Sequence, residues 1–205
     1  MSIFDGDAPE VAPRLLGGVL SVTDPELGTV RLRLTEVEAY AGERDPGSHA
    51  FRGLTPRNAV MFGPAGRLYT YFTYGMHVCA NLVTGPEGRG QGVLLRAGEV
   101  VGGLDLARLR RPGARSDAEL ARGPARLTVA LGITLADGGT IVGPRPGPDR
   151  RLAFEPAPVP PSAIASGPRT GVSGAGGTDE FPWRFWLPGE PTVSPYRAHR
   201  PRARP

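Results

Sequence analysis

The chain has 205 residues, 40% of them hydrophobic, with a net charge of +4, which is enough for one domain with a sizeable core. A single cysteine, Cys79, excludes an internal disulfide framework, and no apolar run reaches membrane-spanning length. All 24 basic residues are arginine, so no side-chain amine can form a Schiff base. The modest positive excess is compatible with a polyanionic partner but does not specify one.

Residues 1–13 are polar, carry Asp5, Asp7 and Glu10, lack the regions of a signal peptide, and are expected to be flexible. A short helix is expected over 14–20. Strands follow over 19–22 and 28–40, separated by the turn residues Asp24-Pro25 and Leu27-Gly28. After a polar loop over 41–53, Thr55-Pro56 reads as a helix start, with Thr as N-cap and Pro at the first helical position, running to Phe62. Two more strands, 68–74 and 77–84, meet at Tyr74-Gly75-Met76. Residues 93–96 read as a short buried strand and 104–111 as a helix. A second helix opens at Gly123-Pro124 and stops at Gly132. The Pro/Gly-rich stretch 140–168 reads as surface chain, and 183–187 as a late strand. Residues 195–205 read as a basic, disordered tail. The order of elements is not a βαβα alternation, so the fold class is α+β: a single domain over 14–194.

Strand side chains alternate in direction. The reading therefore places Leu32, Leu34, Glu36, Glu38 and Tyr40 on one face, leading from core into pocket, and Arg31, Arg33, Thr35 and Val37 on the other. A carboxylate on such a face needs a partner. Arg96, after three aliphatics in Val93-Leu-Leu-Arg96, is the candidate, for Glu38 or for Glu36. Tyr69 and Tyr71 share a strand face, one expected in the core and the other in a slot. Tyr74 sits at an exposed turn, where it would serve as a wedge between bases. The histidines, His49, His77 and His199, lie far apart and show no metal-ligand spacing, so neither metal nor cofactor is expected. Gly171 to Gly177 matches no phosphate-binding loop. An acid inside an aromatic slot, with an aromatic at a tip, suits chemistry on a base taken out of its stack.

The stretches Thr35-Glu-Val-Glu-Ala-Tyr40, His49, Thr55-Pro-Arg-Asn58, Met61-Phe62, 68–76, Asn81, Val93-Leu-Leu-Arg96, Gly123-Pro-Ala-Arg-Leu127 and Arg169-Thr-Gly-Val172 resemble, in order and spacing, the alkyladenine (3-methyladenine) DNA glycosylases of the mammalian-type fold. The resemblance spans about residues 14–194. It implies a mixed α+β domain around a curved antiparallel sheet with a protruding, DNA-intercalating hairpin. It implies Glu38 as the general base, a choice over Glu36 that the residues alone leave open. Arg96 and a backbone carbonyl near Thr170 would hold Glu38 and the attacking water. Tyr40 would stack on one face of the flipped base, with His49 and Tyr71 on the other, and the backbone around His49 would read the purine edge. Asn81 would crowd a guanine 2-amino group. Tyr74 would intercalate, with Gly75, Met76 and Arg57 contacting DNA. The chain departs from the mammalian pattern in a shorter loop after His49, in His77, and in the loop after Asn81.

The expected activity is hydrolysis of the N-glycosidic bond of alkylated or deaminated purines in duplex DNA. It would be monofunctional, since lysine is absent and only the α-amine of residue 1 remains as a route to lyase chemistry. The expected protein is a monomer with double-stranded DNA as partner, cytoplasmic or nucleoid-associated and not secreted. A catalytically idle damage binder of the same fold is the main alternative. A module stacking single-stranded RNA is a weaker one. A sugar glycosidase is disfavoured, because Glu36 and Glu38 are too close on one strand to flank a bond.

Overall fold

A computed structural model of the protein describes residues 2–73, 75–145 and 151–199. Among the described residues, eight strands form one antiparallel sheet, accompanied by three α-helices. In chain order these are α1 (Ala8–Leu15), β1 (Val19–Asp24), β2 (Gly28–Ala41), β3 (Leu68–Thr73), β4 (His77–Thr84), β5 (Gln91–Gly102), α2 (Leu104–Arg110), α3 (Pro124–Leu131), β6 (Leu152–Glu155), β7 (Ala165–Gly167) and β8 (Arg184–Trp186). The sheet order is β3-β4-β5-β2-β1-β6, with β8 joining β2 and β7 joining β8. This is the expected α+β class.

The turn between β1 and β2 forms as its residues predict. The Asp24 carboxylate accepts the backbone N–H groups of Glu26 and Leu27, and Gly28 takes a positive φ. α3 ends at Gly132 in the left-handed conformation that glycine adopts without cost.

Five expectations are corrected. Residues 1–13 are expected to be flexible, but 8–13 instead belong to α1, which runs Ala8–Leu15. Ala8, Val11, Ala12 and Leu15 repeat at helical spacing and are fully buried, while the helix expected over 14–20 is absent because the chain turns extended at Leu16. The signals were present, with Asp7 before the helix and a proline in its first turn. The helix expected from Thr55 shrinks to a 3-10 turn, Ala59–Phe62. The Asn58 side chain accepts Thr55 N–H and donates to the carbonyls of His49 and Gly53, so local side-chain bonding outcompetes a helix. The stretch 140–168 contributes β6 and β7 rather than surface chain alone. β5 runs over 12 residues where four were expected, because its glycines and polar residues still pair with β2.

The fifth correction concerns β2. Leu34 pairs with Gly98 and Glu36 with the adjacent Ala97, so Thr35 is an extra residue on β2. Val37 then pairs with Leu95, so Arg96 is an extra residue on β5. These paired bulges break the alternation. Val37 and Ala39 join Leu32 and Leu34 in the hydrophobic core, and Glu36 and Glu38 alternate to the opposite side. The leucines and glutamates therefore do not share a face. At the same place the outer neighbour of β2 changes from β1 to β8, which brings β8 alongside Glu36, Val37 and Glu38. The core itself packs α1, α3 and β6 against β1, β2, β4 and β5. Each fully buried Leu or Phe there contributes roughly 1.5–3 kcal/mol from its removal from water.

Candidate active site

The bulges aim two carboxylates and one arginine at one another. Glu36 and Glu38 are fully buried, and Arg96 is 6% exposed. Arg96 bridges both, with Nε 2.9 Å from Glu36 Oε1 and Nη1 3.3 Å from Glu38 Oε1. Burial alone would lower the pKa of Arg96, but Glu38 and Glu36 together hold it above its ordinary value.

The two glutamates are otherwise unlike. Glu36 accepts four hydrogen bonds and lies outside the cavity lining: Oε1 accepts from Arg96, from Arg184 Nε at 2.7 Å and from Ser194 Oγ at 3.0 Å, and Oε2 accepts from Ser194 N at 2.7 Å. Glu38 Oε1 accepts Thr170 N–H at 2.7 Å and faces Arg96 Nη1 as an ion pair, while Oε2 accepts only the Tyr40 hydroxyl, at 3.0 Å. A carboxylate oxygen has two acceptor positions, so one on Oε2 stays open. It is the N–H of Thr170, rather than its carbonyl, that reaches Glu38.

Glu38 lies in the lining of a cavity of about 810 Å³, together with Tyr40, His49, Tyr71, Asn81, Arg96 and Thr170. Tyr69 and Tyr71 divide as expected. Tyr69 is 2% exposed and packs with Ala50, Met61 and Val83, whereas Tyr71 lines the cavity. The His49 ring meets Tyr71 edge-on at 4.6 Å, and its Nδ1 lies 3.4 Å from the Tyr69 hydroxyl. Burial, reinforced by the Glu38 carboxylate, pushes the Tyr40 phenol well above its ordinary pKa, so it stays a donor toward Glu38. Burial also pushes Tyr71 up, and raises the Cys79 thiol on the cavity wall to about 11, which leaves it protonated at neutral pH. Asn81 is 4% exposed, and its Oδ1 has no hydrogen-bond partner among the described residues. The same holds for Thr170 Oγ1. A buried orphan acceptor in a cavity wall is a group that a ligand would satisfy.

Burial first, then repulsion from Arg57, lowers the pKa of His49 from 6.5. Its folded pKa is therefore below its unfolded one. The associated stability is complete above about 6.5 and is lost as pH falls through the folded value, because the unfolded chain takes up the proton first. His49→Gln is expected to remove this component. The urea midpoint of the variant should fall less than that of wild type between pH 7.5 and 5.5, and equal falls would refute the assignment.

A second buried ion pair, unforeseen in the sequence, braces the cavity. Arg169 and Asp45 are both fully buried and bind through two contacts of 2.6 Å. Asp45 also accepts the N–H groups of Ala41 and Gly47, which fixes the loop leading to His49. A Cβ on Gly47 would lie 2.6 Å from Arg169 Nη2, and one on Gly176 would lie 2.5 Å from Gly47 N, so both positions need glycine. The first residues of the basic tail also reach the cavity. Arg197 O accepts Gly171 N–H at 2.8 Å, and Arg197, Ala198 and His199 are among the lining residues.

β3 and β4 form the expected hairpin. Met76, at its tip, is 70% exposed, and Gly75 takes a positive φ. Arg57 is exposed beside it, donating to the carbonyl of Phe72 at 3.0 Å. Tyr74, the expected wedge, lies outside the described residues. Among the described residues no helix is long and apolar enough to cross a membrane.

Comparison with known proteins gives one family. The sequence profile described as "Methylpurine-DNA glycosylase (MPG)" matches residues 2–191. Three relatives carry the name "Putative 3-methyladenine DNA glycosylase". That of Streptomyces avermitilis is 60% identical over 95% of this chain and 90% of its own length. That of Leifsonia xyli is 60% identical over 96% and 91%, and that of Nocardia farcinica 54% identical over 96% and 90%. On a match across almost the whole chain, this protein belongs to the methylpurine-DNA glycosylase family.

Proposed function

We propose that the protein hydrolyses the N-glycosidic bond of damaged purines in duplex DNA: 3-methyladenine first, with hypoxanthine and ethenoadenine as further substrates. The observation that carries this reading is Glu38, a buried carboxylate held on three sides within an aromatic-lined cavity, with one acceptor position left on Oε2. In this reading the damaged nucleotide leaves the duplex and its base enters the cavity against Tyr40, His49 and Tyr71. Glu38 Oε2 takes the proton of the attacking water while the glycosidic bond breaks, and Arg96 fixes the carboxylate's orientation. Alkylated, cationic purines leave readily. A neutral purine needs a proton on its ring as it departs. Asn81 presses on the edge where guanine carries its 2-amino group.

The exposed hairpin tip, with Gly75 and Met76, and neighbouring Arg57 form the edge that meets DNA, with Tyr74 as the wedge. The enzyme acts as a monomer in the cytoplasm, without metal or cofactor. The absence of lysine supports a monofunctional enzyme that leaves an abasic site.

The test is base release from duplex oligonucleotides carrying 3-methyladenine, hypoxanthine or ethenoadenine. Release with an intact backbone until alkali is added is the expected result. Tight lesion binding without release of any base would instead indicate an idle binder. Nicking without alkali, in a nuclease-free preparation, would overturn the monofunctional assignment.

A further inference from the structure

Arg169 is fully buried and lies outside the cavity lining, yet its Cζ sits 4.5 Å over the centroid of the Tyr40 ring. It also lies 5.4 Å from the Trp183 ring. The Nη1–Nη2 edge of its fork is taken by Asp45, and the remaining donors go to the carbonyls of Ala39 and Gly176. Those bonds leave the flat side of the guanidinium to the aromatic rings. Because Arg169 is enclosed, the part of Tyr40 that it covers is not the part open to the cavity. Tyr40 is thus a platform with a cation behind it.

We propose that Arg169 is a positioning residue that sets base selectivity, its charge behind Tyr40 biasing the slot against cationic purines and toward neutral ones. This rests on the reading of Tyr40 as the stacking wall for the extruded base. An aromatic ring attracts a cation through the negative potential of its face. A guanidinium on one face draws that potential toward itself and repels a second cation approaching from the other. A neutral purine stacks by dispersion and shape and loses nothing. Selectivity for cationic lesions then comes from their weak glycosidic bonds rather than from attraction by this wall.

The test compares duplexes containing 7-methylguanine, which is cationic, and hypoxanthine, which is neutral, by single-turnover excision and by dissociation constant. Each base's intrinsic lability cancels when the ratio for a variant is divided by that for wild type. The neutral pair Asp45→Asn/Arg169→Gln removes the guanidinium from behind Tyr40 together with its counter-ion, which lies on the edge of the fork and not over the ring, and leaves no unpaired ion in the interior. It is expected to raise the 7-methylguanine to hypoxanthine ratio about two- to fivefold, the range of a cation–π contact. Arg169→Lys keeps the charge and should keep the wild-type ratio even if both rates fall. A ratio that stays put in the neutral pair, or rises equally in Arg169→Lys, overturns the proposal.

A third variant covers the case in which the neutral pair does not fold. Tyr40→Leu should weaken binding of the hypoxanthine duplex more than that of the 7-methylguanine duplex, and the opposite order, or equal losses, overturns the proposal. Failure of the glycosylase reading looks different: wild type itself would then release neither base.

Discussion

Glu38→Gln is expected to bind lesion-containing duplex as wild type does and to release the base about 10²–10⁴-fold more slowly, the range for loss of a positioned general base. The substitution keeps shape. The amide oxygen can still accept Thr170 N–H, the amide nitrogen replaces Oε2, and the Tyr40 hydroxyl can turn to accept from it. Arg96 is not left without a carboxylate, since Glu36 still holds its Nε at 2.9 Å. What disappears is the open acceptor position on Oε2, which can receive a proton from water. Single-turnover base release, dissociation constant and thermal melt, measured together, separate this from a folding defect. A wild-type rate in the variant would remove Glu38 from the reaction.

How much of this site could be read from the sequence depends on the range over which each contact is set. β1, the long β2, the β3–β4 hairpin, α2 and α3 carry local signals, namely turn residues, alternation and a C-terminal glycine, and they stand within a residue or two of expectation. Local pattern also found Arg96 as a partner for the glutamates, although it could not say that one arginine serves both. It failed where two strands had to be known at once. The bulges at Thr35 and Arg96 exist only as a mismatch between β2 and β5, and strict alternation therefore put Leu34 and Glu36 on one face. Nor could it pair residues brought together by the fold, such as Asp45 with Arg169 or Glu36 with Arg184. Separate roles for Glu36 and Glu38 came from the resemblance to a family. In the structure the two differ in place: Glu36 takes four hydrogen bonds from the protein and lies outside the cavity lining, while Glu38 borders the cavity. The polarity of Asp5, Asp7 and Glu10 masks α1 in the sequence, although the apolar 8, 11, 12, 15 spacing that the helix buries is local.

The opposite fate is expected for the other glutamate. Glu36→Ala should cost about 3–5 kcal/mol of stability, as breaking one side of a buried ion pair does, because the ions left behind remain in the interior. Arg96 Nε, Arg184 Nε and Ser194 N would lose their acceptor together, and Glu38 would remain as the single carboxylate beside two buried guanidinium groups. For a chain of this length such a loss corresponds to a fall in melting temperature of roughly 6–20 °C. Glu36→Gln keeps one oxygen for donors that now use two, so it should fall between Ala and wild type. Any loss of base release in these variants should follow the unfolded fraction, apart from what Arg96 contributes by holding Glu38 in place. Thermal melts of the Glu36 variants beside Glu38→Gln make the contrast direct. If Glu36→Ala melts within about 2 °C of wild type, the bonds around Glu36 are not what holds β2, β5 and β8 together at the bulge, and the division of labour between the two glutamates must be redrawn.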